Sequence, residues 1–78
     1  MRAYELTAVV WKEESGYVSK CPELGVASCG DSVNEARINL KEAIELFLEN
    51  AKILGIMDDV IDSISTEEKY TATLEVTA

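Results

Sequence analysis

The chain contains no histidine, which removes the commonest general base and the commonest metal ligand. Two cysteines, Cys21 and Cys29, are too few for a four-thiolate zinc site, and without histidine the mixed sites fail as well. Cations are scarce: seven lysines and arginines stand against fifteen carboxylates, for a net charge of −8. That balance argues against direct nucleic-acid binding, which needs a basic footprint. No apolar run approaches the ~18 residues of a membrane span. Met1 to Glu5 leads straight into an alternating segment rather than a signal-peptide core. Both thiols are therefore expected to be reduced and the chain cytoplasmic. Neither a metal nor a cofactor is expected, and the expectation is a protein that is not an enzyme.

What remains is an ordinary globular composition, 47% hydrophobic and 28% charged. At 78 residues it is expected to form one domain over 1–78. A chain of this size buries roughly 60% of its unfolded surface. That leaves room for one sheet and one long helix.

Tyr4 to Trp11 is rich in β-branched and aromatic residues and predicts a strand. Leu6, Ala8 and Val10 share one face; Glu5, Thr7, Val9 and Trp11 share the other. A charged turn ending at Gly16 leads into a second strand, Tyr17 to Cys21, and the two form an antiparallel hairpin. Pro22 cannot donate to a ladder and stops that strand. The Pro22–Gly25 turn gives a short third strand, Val26 to Ser28. Ser32-Val33-Asn34-Glu35 is a capping box, with the Ser32 hydroxyl accepting from the Glu35 amide and the Glu35 carboxylate reaching back to Ser32. An amphipathic helix follows to about Leu54, with Gly55 beyond its end. Its stripe is Val33, Ala36, Leu40, Ala43, Ile44, Phe47, Ala51 and Leu54. Ile56 to Ile64 reads as an acidic connector with a helical turn at Asp58 to Ser63. Tyr70 to Val76 alternates and predicts a closing strand. The expected fold class is thus α+β, in the order β-β-β-α-β, a single sheet with the helix on one face.

A metal-dependent nuclease site would draw its ligands from Glu5, Glu75 and a helix glutamate. Glu5 and Glu75 lie on the face opposite the helix, so a solvated acidic surface is the better reading. Asp58, Asp59 and Asp62 lack the ligand spacing of a calcium loop. Trp11 and Tyr17 flank the first turn, and either cover the end of the sheet or anchor a protein partner.

Gly16-Tyr17-Val18, Cys21-Pro22-Glu23-Leu24-Gly25, Gly30-Asp31-Ser32, Glu35-Ala36 and Asn39 through Leu46 resemble, in order and spacing, the HicB antitoxin family. The resemblance runs from about Tyr4 to Glu49. It implies a reduced RNase H-like fold and a partner, the small basic HicA-like toxin, an RNase that cleaves messenger RNA. Members of that family bind the toxin and block it. The sequence stops at Ala78, after the expected fourth strand, and so is expected to lack the C-terminal DNA-binding module that many members carry. Residues 31 to 69 hold ten acidic and four basic residues, a surface suited to steering toward a basic partner. The partner-binding candidates are Trp11, Tyr17, Glu23 and Leu24. The alternative is an orphan domain that assembles only with itself.

A homodimer or higher homo-oligomer is also expected. About 22 helical residues span roughly 33 Å, whereas a seven-residue strand reaches about 23 Å. The helix outruns its sheet, and Phe47, Leu48, Ile53 and Leu54 are the self-association candidates. In the competing arrangement Ile56, Met57, Val60 and Ile64 fold back over the overhang.

Overall fold

The structure is a computed structural model and describes residues 4–64 and 70–77. Three antiparallel strands, β1 (Val9–Glu13), β2 (Gly16–Cys21) and β3 (Val26–Gly30), lie in the order β1-β2-β3. They are followed by helix α1 (Val33–Leu54) and a shorter helix α2 (Met57–Ile64). The α+β class expected from the sequence is what forms.

Strand limits follow the partners available. Expected from Tyr4, β1 starts only at Val9, because β2 ends at Cys21, before Pro22, and its last ladder partner on β1 is Val9, opposite Lys20. The two-residue turn at Glu14 and Ser15 carries pairing up to Glu13 opposite Gly16. Likewise β3 runs to Gly30, two residues past Ser28, because Tyr17 pairs with Gly30.

α1 begins and ends where its caps require. The Ser32 hydroxyl accepts from the Glu35 amide at 3.0 Å. The Glu35 carboxylate reaches one residue further than expected and accepts from the Asp31 amide at 3.2 Å. At the other end Gly55 adopts φ 75°, a left-handed conformation natural to glycine. The Gly55 amide donates to the Lys52 carbonyl and the Ile56 amide to the Ala51 carbonyl, at 3.2 and 3.0 Å. This double closure satisfies two carbonyls that the helix end would otherwise leave open.

The face of the sheet that receives α1 is built from small residues. Ser19, Cys21, Ser28 and Gly30 lie on it together with Val10, and Ala36 and Leu40 of α1 are buried against it. The buried Ser19 hydroxyl donates to the Ala36 carbonyl at 2.8 Å, so the polar atom is satisfied inside the core. Of the expected stripe, Ala36, Leu40 and Ala51 are buried, and Ala43, Ile44 and Phe47 are half-buried. Val33 and Leu54 stay exposed at the two helix ends.

The expected fourth strand is corrected by the structure. Residues 70–77 form neither strand nor helix, and Leu74 and Val76 are 83% and 81% exposed. Alternation tells which side chains can share a face; it does not put a sheet edge alongside them. The acidic connector is more ordered than expected, since α2 packs on α1 and its Val60 and Ile64 are buried. The fold-back arrangement is thus realised in part. It leaves Ile53 and Leu54, at 76% and 72% exposure, uncovered.

Candidate functional site: the outward face of the sheet

The ladder register puts Trp11 directly across from Val18, and Val18 across from Cys29. With Val9 and Ala27 these side chains share the face turned away from α1. Trp11 is 40% exposed and Val9, Ala27 and Cys29 are also exposed. The indole does not swing freely, because its Nε1–H donates to the Glu13 carboxylate at 2.8 Å. The result is an apolar strip across three strands, centred on an oriented tryptophan and edged by Glu13 and Lys20. Such a face can bury a large rigid ring against a protein partner.

The other partner-binding candidates lie elsewhere. Tyr17 is on the opposite face from Trp11, with the Lys12 ammonium 5.0 Å from its ring centroid. Glu23 and Leu24 sit in the turn at the far end of β2. The Glu23 carboxylate accepts from the Thr7 amide and hydroxyl at 2.9 and 2.8 Å. It therefore gives the Thr7 amide an acceptor beyond the end of the ladder, and ties Thr7 to the turn after β2. Sequence reasoning found Trp11 and Val9 but missed Val18 and Cys29. The two-residue turn was the available signal, because it sets the hairpin register and hence which residues face Trp11.

Both cysteines are free. Cys21 is fully buried and its thiol donates to the Glu23 carboxylate at 3.4 Å. Burial first, and then the nearby Glu23 charge, push this thiol above its ordinary range. At mildly alkaline pH a thiol reagent is therefore expected to titrate Cys29 alone in the native protein, and both cysteines in denaturant. Two fast-reacting thiols without denaturant would contradict this burial. The sign of the pH effect follows. As pH rises through the ordinary thiol range, the unfolded chain sheds the Cys21 proton before the folded chain does, so stability falls.

Among the described residues no group of three or more cysteines and carboxylates is placed to hold a metal ion. Glu5, Glu75 and a helix glutamate thus form no such cluster. No described helix is long and apolar enough to cross a membrane.

These features define a small α+β domain with an open, aromatic-centred sheet face. The chain is 44% identical over 48 residues to a UPF0150 protein of Synechocystis sp., a match covering 59% of this chain and 67% of that protein. It is 50% identical over 44 residues to a UPF0150 protein of Helicobacter pylori, covering 55% of this chain and 61% of that one. The chain belongs to the UPF0150 family. No family model matches it, and no solved structure matches it.

Proposed function

We propose that this domain is a non-enzymatic, HicB-like antitoxin that binds a small basic RNase toxin and blocks its RNA-binding surface. The observation that carries the reading is the open strip around Trp11 on a chain of net charge −8. An RNA-cleaving partner must be basic to hold phosphates, so an acidic domain is steered to the same surface. The indole then supplies an anchor that charge alone lacks. The sequence resemblance to HicB proteins supports the same reading. On this proposal the domain acts in the cytoplasm, where Cys21 and Cys29 stay reduced, and binds no nucleic acid itself.

The test is to co-express the chain with the product of the adjacent small reading frame and assay RNA cleavage. Complex formation and loss of cleavage are expected. Trp11→Ala should weaken the complex by about 2 kcal/mol, roughly thirtyfold in Kd. Unchanged cleavage with no complex would refute the proposal.

A further inference from the structure

α1 covers the sheet unevenly. It rests on β3 and β2 and barely reaches β1. The β3 edge is tied to the helix, since the Asn39 side-chain amide donates to the Cys29 carbonyl at 2.8 Å. β1 ends the sheet on the other side, and an edge strand turns alternate amides and carbonyls outward. Between residues 4–8 and α1 lies a cleft of about 530 Å³. Its apolar lining is Leu6, Ala8, Leu40, Ile44 and Leu48. On the helix side it runs from Arg37 to Leu48, a rise of roughly 17 Å.

A complementary element stands exposed in the same chain. Ala72, Leu74 and Val76 occupy alternate positions, and all three are exposed, so the segment does not fill the cleft of its own chain. Seven residues in strand geometry extend roughly 23 Å, enough to line the whole cleft. Charge permits the union despite the acidity of the chain. Arg37 and Lys41 stand against Glu45 in the cleft lining, while residues 70–77 carry the single carboxylate Glu75 and no cation.

We infer that the cleft between residues 4–8 and α1 receives residues 70–77 of a second copy of this chain. The incoming segment runs alongside residues 4–8, which lead into the edge strand β1, and lays Ala72, Leu74 and Val76 on the apolar lining. Two copies exchange these segments reciprocally about a twofold axis.

The test combines sedimentation at micromolar concentration with isotope-filtered NOE measurements on a mixture of differently labelled chains. A dimer is expected, with interchain NOEs from the Leu74 and Val76 methyls to those of Leu40, Ile44 and Leu48. Leu74→Asp should yield an 8.6 kDa species with the helical circular dichroism retained. A monomeric parent chain would overturn the inference. So would methyl contacts confined within one chain, or a dimer whose Leu74 and Val76 methyls show no interchain contact. The NOE readout stands even if the variant fails to fold, and RNase inhibition does not enter it.

Discussion

Gly30→Ala is expected to destabilise the domain by about 3 kcal/mol, the upper end of overpacking effects. A Cβ at this position would lie 2.6 Å from the Ala36 amide nitrogen and 2.9 Å from the Glu35 carbonyl carbon. Both neighbours are main-chain atoms of the first turn of α1, so no side-chain rotation can relieve the clash. Either α1 lifts from β3 or the strand bends, and each movement strains the Ser19 hydrogen bond to Ala36 nearby. For a domain of this size, 3 kcal/mol corresponds to a Tm lowered by about 12–24 °C. Thermal unfolding followed by circular dichroism measures it. A Tm within a few degrees of the parent would mean that the close contact of α1 with β3 does not hold in solution.

Leu40→Ala is expected to cost about 2–5 kcal/mol. Leu40 is the largest fully buried side chain, 1% exposed, and it joins the small-residue face of the sheet to α1. Domains of this length have a total stability of only about 4–12 kcal/mol, so one truncation removes a large share of it. Urea unfolding should show a lower midpoint with an unchanged slope. Leu46→Ala is the matched control on the same helix, since Leu46 is 59% exposed; its effect should stay within about 0.5 kcal/mol. Equal losses at the two positions would show that the helix is not seated on this face.

The two substitutions probe the same contact from opposite sides, one by adding volume and one by removing it. They also bear on the outward face. Trp11 and Val18 are aligned only while the three-stranded ladder is held flat against α1, and that ladder depends on the contact at Gly30, Ala36 and Leu40. Loss of partner binding in either variant therefore counts as evidence about the site only when the fold is shown to persist.

Local chemistry alone determined much of this protein. The Ser32 cap, the helix from Val33 to Leu54, the Gly55 closure and the stop at Pro22 all depend on residues within a few positions of one another. Such signals are written contiguously, and they were legible. Tertiary structure decided what depends on distant partners. It set the start of β1 at Val9, since ladder length is a property of the pair and not of one strand. It engaged Glu23 with Thr7, sixteen residues away, and set Trp11 and Tyr17 on opposite faces. It also seated α1 mainly on β3 and β2, and it left residues 70–77 outside the sheet. The alternation in that last segment was plain to read. Whether a strand forms, however, depends on an edge being within reach, and no periodicity encodes where that edge lies.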